Sequence, residues 1–364
     1  MEEKIAAHVI TKYLKKGNMA RCLRDILPSA GLSKEQREDI AILIHDIVRW
    51  KKLYEHIIDV QGLPPDAETY LQLAKQGVQS EAASYPFEYR YSCSPYVASV
   101  LENHPEWAEF LNETPPTTLC VNLNKSSLEQ VSMMLKDESF LVEQSPLPTA
   151  LLTTSNAKYA KVLKQHYAHV QDESSQLVSY ISASFGQSIF DYCAGNGGKS
   201  IALASITKNK KNLFAYERNE SKRLILKRRC DEYDAHVHIQ DTPSKKQYEV
   251  VLVDAPCTGL GAARRNPEAK YILDTGHLPE TQVSILKQAV KNVKTNGFLL
   301  YVVCTITPEE TSQVIERFLS EEETCHVCEF SQVPYQQFLR KNTYGLFTSL
   351  PQGDLFYLAI LQKQ

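Results

Sequence analysis

The chain has 364 residues, and its composition is that of an ordinary globular protein. Hydrophobic residues make up 43% and charged residues 23%, a balance that argues against long disordered tracts. At about 150 residues per domain, the length predicts two or three domains. The net charge of −3 excludes a strong overall attraction to nucleic acid, so any such binding must come from a local basic patch.

Apolar patterning and cysteine usage both favour the cytoplasm. The longest apolar run, Phe298 to Cys304, is far shorter than the ~18 residues that a membrane span needs. Glu2 and Glu3 lead directly into a helical pattern, which does not resemble a signal segment. The nine cysteines are odd in number and scattered, as is typical of reduced thiols. We therefore expect a cytoplasmic protein without a membrane span. The sequence leaves the oligomeric state open, and a monomer is the expectation.

Residues 1–112 are predicted to form an all-helical domain. Apolar residues repeat at helical spacing from Ile40 to Val48. Ser33, with Gln36 three residues later, predicts a capping box at the start of that helix. Thr114-Pro115-Pro116 mark the first domain boundary.

Residues 113–167 switch to short alternating segments. Leu119–Leu123 and Ala150–Thr154 are predicted strands, with a helix around Leu128–Leu135 between them. This pattern predicts a small α/β unit.

From residue 168 onward, strands alternate with helices, which predicts a largely parallel sheet with crossover helices. One such helix, with apolar residues from Val283 to Val293, is predicted to end at Gly297. Ligands of such sheets bind beyond the carboxyl ends of the strands. The predicted strands are Ser188–Tyr192, Leu213–Tyr216, Val237–Ile239, Glu249–Val253 and Phe298–Val303.

A glycine-rich turn, Asp191 to Ser200, joins the first of these strands to a helix. It is not a P-loop, because Cys193 stands at the leading glycine, and it is not the dinucleotide fingerprint, because Ser200 stands at the third glycine. Glu217 ends the next strand, where an acidic side chain can accept hydrogen bonds from ribose hydroxyls. The pattern predicts a cofactor that contains a nucleoside and does not require phosphate binding.

Two further strands end in thiols. Cys257 follows Asp254 at the end of one strand, and Cys304 ends the next. A single free cysteine is most often an inert core residue, but these two share one sheet edge with an acid and a cofactor loop. A thiolate that adds to carbon 6 of a pyrimidine makes carbon 5 nucleophilic enough to take a methyl group. Asp254 is placed to hydrogen-bond or protonate the ring nitrogen as charge develops there.

Together these motifs resemble those of the RsmB/NSUN (Fmu/Sun) family of S-adenosylmethionine-dependent RNA cytosine-5 methyltransferases. The resemblance covers about residues 115–364. It implies a Rossmann-like methyltransferase domain over 168–364, preceded by a NusB-like RNA-binding domain over 1–112 and a small RRM-like subdomain over 113–167. The motifs that carry it are Val170–Gln176, Asp191–Lys199, Asp254–Gly261, Arg264–Pro267, Val303–Thr305 and Pro308–Thr311.

The resemblance also implies a role for each site residue. Cys304 would be the nucleophile, Cys257 would help release the product, and Asp254 would hold the base edge. Arg264 and Arg265, in the loop beside Cys257, would contact RNA. The residues implied in binding S-adenosylmethionine are Cys193, Ala194, Gly195, Asn196, Gly197, Gly198, Lys199, Glu217, Asp241 and Asp254.

The expected substrate is RNA of the 16S ribosomal type, because of the NusB-like segment, and transfer RNA stays open. Several positions depart from the family pattern. Cys120 stands at a usual arginine, His166 at a usual glycine and Gly195-Asn196 at a usual Ala-Pro, and Gly353–Phe356 lacks one glycine of the family motif. Cys325-His326-Val327-Cys328 resembles half a zinc site, but the sequence has no second close pair, so we expect no metal.

Two alternatives come from different classes of protein. A DNA cytosine-5 methyltransferase would use the cysteine after proline as its nucleophile and would carry an E-N-V element, which this sequence does not contain. An RNA-binding or ribosome-assembly factor could keep the fold without turnover. The presence of both thiols, Asp254 and the cofactor loop argues against that second alternative.

Overall fold

A computed structural model of the chain describes residues 1–153, 157, 159–243 and 245–364. Two compact units are present: Met1–Thr114 with Ala262–Asp274, and Pro115–Gly261 with Thr275–Gln364. The second unit thus contains both the small α/β segment and most of the predicted methyltransferase segment. Residues 262–274 belong to the first unit, which the contiguous division predicted from the sequence did not anticipate. Within the described ranges, no helix is long and apolar enough to cross a membrane.

In the first unit, the regular elements of residues 1–114 are helices. α3 begins with the predicted capping box: Ser33 Oγ accepts from the Gln36 N–H, and Gln36 Oε1 accepts from the Ser33 N–H at 2.8 Å. The apolar stripe of α3 is buried in the core of this unit. The helices are α1 Glu2–Lys16, α2 Met19–Ile26, α3 Lys34–Arg49, α4 Lys51–Gln61, α5 Ala67–Gln76, α6 Phe87–Arg90, α7 Pro95–Leu101 and α8 Pro105–Asn112.

The second unit begins with a small antiparallel sheet in the strand order β2-β3-β1-β4. Thr154, the last residue of the second predicted strand, lies outside the described residues. Cys120 is fully buried in β1. His166 has φ 58°, the left-handed region that favours glycine, which explains the glycine of the family at that position. The elements are β1 Thr117–Val121, α9 Leu128–Asp137, β2 Val142–Gln144, β3 Ala150–Thr153, α10 Lys161–Lys164 and β4 Ala168–Val170.

A nine-stranded sheet forms the rest of the second unit. Its order is β11-β12-β13-β9-β8-β5-β6-β7, and β10 pairs with β13. Strands β5 to β9 are mutually parallel, and β13 returns antiparallel to β9. The strands are β5 Ser188–Asp191, β6 Asn212–Tyr216, β7 Val237–Gln240, β8 Tyr248–Asp254, β9 Val293–Val303, β10 Cys325–Val327, β11 Leu339–Asn342, β12 Gly345–Thr348 and β13 Tyr357–Lys363.

Helices lie between β5 and β6, between β6 and β7 and between β8 and β9, as the alternating pattern predicted. The central strand β8 is buried over Val250–Val253, which accounts for its continuous apolar sequence. Because β5, β8 and β9 are neighbours, the loops after Asp191, Asp254 and Val303 open at one edge of the sheet. The helices are α11 Glu173–Ser184, α12 Gly198–Ile206, α13 Glu220–Glu232, α14 Leu278–Ala289 and α15 Ser312–Glu321.

The predicted end of α14 is wrong. The helix ends at Ala289, and Gly297 lies inside β9. A Cβ at Gly297 would stand 2.8 Å from the carbonyl oxygen of Glu249 on β8. The glycine therefore permits close approach of two strands and does not cap a helix.

Candidate active site

The two thiols of the sequence analysis lie in contact. Sγ of Cys257, after β8, is 3.4 Å from Sγ of Cys304, at the end of β9. Both side chains are half-buried. The pairing of the two strands continues past β8, because the Ala255 N–H donates to the carbonyl of Val302 at 2.9 Å. The shared sheet edge therefore brings the thiols together, as the strand pattern predicted.

The environment of Cys257 favours its protonated form. The hydrogen bond to Cys304 contributes most to raising the pKa of Cys257 well above its usual value, and burial raises it further. The nearby charges of Cys304, Glu310 and Asp254 act in the same direction. Cys257 can therefore donate a hydrogen bond to the Cys304 sulfur.

Lys199 and Asp254 form a close ion pair beside the thiols. Nζ of Lys199, in the first turn of α12, lies 2.7 Å from Oδ2 of Asp254 at the end of β8. Burial by itself would lower the pKa of Lys199, but the Asp254 carboxylate outweighs it, and the pKa is raised. Lys199 is thus a buried cation, and the charge of Cys304 contributes to the same shift.

The glycine-rich turn has the conformation that the sequence predicted. Gly195 has φ 56° and Gly197 has φ 87°, and α12 begins at Gly198. A Cβ on Gly197 would stand 2.5 Å from Cδ1 of Leu226, so the turn has no room for a side chain there. The Gly195 N–H donates to Oε2 of Glu217 at 2.9 Å, which fixes this carboxylate at the turn.

A cleft of about 760 Å³ opens at this turn. The Glu217 and Asp254 carboxylates line it, and carboxylates can accept hydrogen bonds from the hydroxyl groups of a nucleoside. Its size and polar lining therefore fit S-adenosylmethionine. The lining residues include Cys193, Gly195, Tyr216, Glu217 and Asp254.

Asp241 has a different environment. It lines a separate cavity of about 450 Å³ between α13 and β7, together with Arg223 and Lys227. Its side chain is 90% exposed and pairs with Arg223 at 3.1 Å. Pro243, two residues further on, lines the 760 Å³ cleft. Arg223 also donates to the carbonyl of Glu217 at 2.9 Å, and Glu217 and Asp241 directly follow the paired residues Tyr216 and Gln240 of β6 and β7. Asp241 therefore lies beside Glu217, and its expected place beside the adenine stays a prediction.

The position of Arg264 contradicts the expectation that this residue contacts RNA. Its side chain is 1% exposed and its guanidinium stacks over the ring of Phe110 at 4.1 Å, within the first unit. Glu113 lies 3.5 Å from it. A buried guanidinium cannot reach a phosphate, so Arg264 supports the core of its unit instead. The neighbouring Arg265 is half-buried, and its RNA contact stays a prediction.

Thr258 and Glu310, which connect the two thiol loops, were not predicted as site residues from the sequence. The Thr258 N–H donates to Oε1 of Glu310 at 2.9 Å. An acidic residue at the start of a helix is ordinarily explained by a favourable interaction with the helix dipole. The sequence around Glu310 therefore did not indicate its contact with Thr258. No group of three or more candidate metal ligands occurs in the part of the chain that the structure describes.

Comparison with known proteins identifies the family. Residues 179–362 match the family described as 16S rRNA methyltransferase RsmB/F. The chain belongs to that family. This membership supports S-adenosylmethionine as the cofactor and agrees with the motifs of the cofactor turn and the two thiol loops.

Curated relatives carry related names. The chain is 30% identical to a probable ribosomal RNA small subunit methyltransferase B from Bacillus subtilis, over 57% of this chain and 50% of the relative. It is 28% identical to ribosomal RNA small subunit methyltransferase B from Proteus mirabilis, over 76% of this chain and 67% of the relative. The matched region therefore spans about half to two thirds of these relatives.

Solved structures show the same fold. The match to the crystal structure of PH0851 covers 100% of this chain and 99% of the PH0851 chain, at 20% identity and a TM-score of 0.80. A methyltransferase homolog protein from Pyrococcus horikoshii covers 79% of this chain and 99% of its own, at 18% identity and a TM-score of 0.62. These likenesses establish the Rossmann-like methyltransferase fold of the α/β unit.

Proposed function

We propose that this chain transfers a methyl group from S-adenosylmethionine to carbon 5 of a cytosine in ribosomal RNA of the small subunit. The observation that carries the proposal is the 3.4 Å separation of the Cys257 and Cys304 sulfurs, next to the Lys199–Asp254 ion pair. The RsmB/F family membership supports the substrate class.

Cys304 acts as the nucleophile. Its thiolate adds to carbon 6 of the cytosine, and the electron pair of the 5,6 double bond moves so that carbon 5 becomes nucleophilic. The Cys257 S–H and the Lys199 ammonium are the groups that stabilise charge on this sulfur before attack. Asp254 holds the polar edge of the base through its carboxyl group.

S-Adenosylmethionine supplies an electrophilic methyl group in the cleft next to Cys193. Carbon 5 would take this methyl group as the bond between the methyl carbon and the cofactor sulfur breaks, which would leave S-adenosylhomocysteine. The proton on carbon 5 would then be lost to solvent as the bond between carbon 6 and Cys304 breaks. Cys257 assists this release because its thiol lies in contact with the departing sulfur. The Gly195–Gly197 turn and Glu217 bind and orient the cofactor.

A base inside a duplex cannot present carbon 6 to a thiolate. The target is therefore an unpaired cytosine or one that is extruded from a stem. We further propose that the helical first unit contributes RNA binding, as its resemblance to a NusB-like domain implies.

The test measures transfer of a tritiated methyl group from S-adenosylmethionine to 16S ribosomal RNA and to transfer RNA from cells that lack the gene. Bisulfite sequencing of the product identifies the cytosine. Cys304→Ala is expected to abolish transfer, whereas Cys257→Ala is expected to accumulate a covalent protein–RNA adduct on denaturing gels. Cys328→Ala, which changes a thiol outside this site, is the matched control. An adduct with Cys304→Ala instead would reverse the two roles, and an inactive wild-type chain would favour a non-enzymatic RNA-binding factor.

A further inference from the structure

Glu310 lies behind the two thiols with its carboxylate fully buried. Oε1 accepts hydrogen bonds from the Thr258 N–H at 2.9 Å and from Nε2 of Gln282 at 3.0 Å. Oε2 accepts from Oγ1 of Thr258 at 2.5 Å and from Oγ1 of Thr307 at 2.9 Å. Oγ1 of Thr305 also donates to Oε2, at 3.4 Å. Burying a carboxylate costs several kcal/mol unless hydrogen bonds compensate, and here five donors converge on it.

These donors come from both thiol loops. Thr258 directly follows Cys257, and Oγ1 of Thr258 lies 2.9 Å from Oγ1 of Thr305, which directly follows Cys304. Gln282, on α14, also donates to the carbonyl of Pro256, the residue before Cys257. The Glu310 carboxylate therefore joins the two loops immediately beside their sulfur-bearing residues.

We infer that Glu310 is a positioning residue, which sets the separation of the Cys257 and Cys304 sulfurs and keeps the proton on Cys257. The positioning part is a property of the folded chain. Its catalytic consequence rests on the proposed function, since only a cysteine nucleophile needs a second, protonated thiol in contact with it.

The charges around the thiols agree with this division of roles. The ionisable groups near Cys257 include Cys304, Glu310 and Asp254, and a negative charge on each of them raises the pKa of Cys257. The Tyr301 phenol, which donates to the carbonyl of Glu310, also lies near Cys257. Lys199 pairs with Asp254 and is the cation of the cluster. Glu310 thereby favours the protonated thiol at Cys257.

The first experiment measures how closely the Cys257 and Cys304 sulfurs are held, and it does not depend on methyl transfer. The full-length chain is equilibrated at pH 6 in mixtures of reduced and oxidised glutathione, and the Cys257–Cys304 disulfide is quantified by peptide mass spectrometry. Oxidised glutathione takes two electrons and two protons from the thiols, which forms one protein disulfide and two reduced glutathiones. At this pH an ordinary thiol, with a pKa of ~8.5, is protonated, so the equilibrium constant reports chiefly how closely the sulfurs are held.

Glu310→Ala is expected to lower this equilibrium constant by about tenfold or more, because the loops lose their common acceptor. Thr258→Val removes only the bridging hydroxyl and should lower the constant by a smaller factor. Glu309→Gln, which removes a neighbouring charge, is the control and should stay within about twofold of wild type. Circular dichroism and binding of S-adenosylhomocysteine verify that each variant is folded. An unchanged constant in both Glu310→Ala and Thr258→Val would overturn the positioning role.

The second experiment tests whether the negative charge of Glu310 keeps the proton on Cys257. Glu310→Gln keeps the size of the side chain and loses its negative charge, so the alkaline limb of the pH profile for methyl transfer should move to lower pH. The KM for S-adenosylmethionine should not change, since the cofactor cleft is lined by other residues. An unmoved alkaline limb would overturn the role in holding the proton. If the wild-type chain transfers no methyl group, the proposed function fails, and the glutathione equilibrium alone decides the positioning role.

Discussion

Gly261 and Leu355 are joined backbone to backbone behind the thiols. The Leu355 N–H donates to the carbonyl of Gly261, and the Gly261 N–H donates to the carbonyl of Cys304, each at 3.0 Å. A Cβ on Gly261 would stand 1.9 Å from the carbonyl oxygen of Leu355. Hydrogen is therefore the only side chain that this contact admits, and the loop after Cys257 depends on it.

Gly261→Ala should consequently destabilise the α/β unit by roughly 3 kcal/mol and displace the Cys257 loop, because either backbone must move. Gly259→Ala is the matched control: Gly259 has φ 76°, but no heavy atom lies within 4 Å of its Cβ position. That change should cost only about 1 kcal/mol of conformational strain. Urea denaturation followed by circular dichroism measures both. Equal losses would contradict the importance of the Gly261–Leu355 contact.

Glu217→Gln should weaken binding of S-adenosylhomocysteine about tenfold, or about 1.4 kcal/mol, because a charged acceptor for the ribose is lost. The carboxylate also accepts from the Gly195 N–H, so the turn loses part of its support. Isothermal titration calorimetry gives the Kd. Glu220→Gln, on the first turn of α13, removes the same charge outside the cofactor cleft and should leave the Kd unchanged.

Asp191 should make stability depend on pH. Burial raises its pKa to about 7, and Oδ2 accepts from Oγ of Ser200 at 2.6 Å. Between the unfolded pKa of ~3.9 and the folded value, the folded chain holds a proton that the unfolded chain has released. The stabilisation of the folded chain by the Asp191 proton is therefore fully present below pH ~4. It is lost from the free energy of unfolding as the pH rises to about 7.

The substitution Asp191→Asn isolates that contribution, since asparagine keeps an acceptor for Ser200 and has no proton to lose. Melting temperatures of both proteins are measured from pH 5 to pH 8. The variant should gain stability relative to wild type as the pH rises. A difference that is constant over this range would show that Asp191 is ionised throughout.

Substitution of Arg264 should lower stability, whereas substitution of Arg265 should weaken RNA binding. Arg264→Ala removes a buried guanidinium from the ring of Phe110 and should destabilise the helical unit by ~2–4 kcal/mol. Arg265→Ala should change stability by less than ~0.5 kcal/mol, weaken RNA binding, and reduce the slope of log affinity against log salt by about one. Thermal melts and filter binding at several salt concentrations measure the two effects. A reduced salt slope for Arg264→Ala in a fully folded variant would restore its RNA contact.

Secondary structure and topology were predicted correctly from the sequence where a local pattern is compatible with only one structure. Apolar runs became β5 to β9, and the alternation with helices specified parallel strands whose carboxyl ends share an edge. The capping box at Ser33 is a local hydrogen-bond exchange, so it could be recognised from four residues. Gly297 was misjudged, because a glycine after a helical pattern resembles a cap unless the neighbouring strand is known.

The sequence also could not show which charged side chains are buried. Arg264 reads as a surface residue, but its loop, 262–274, belongs to the helical unit and places the guanidinium on Phe110. Glu310 reads as an acid at a helix start, but donors from two loops and α14 surround it. Both outcomes depend on partners that are far away in the chain.

The order of the elements, the cofactor turn and the presence of two thiols at strand ends were thus determined by the sequence alone, because each depends on residues within one strand and its adjoining loop. The contact between the sulfurs, the Lys199–Asp254 pair and the buried Glu310 were decided only by the tertiary structure. Packing of distant segments sets those distances and removes water, and both control how strongly charges act on one another.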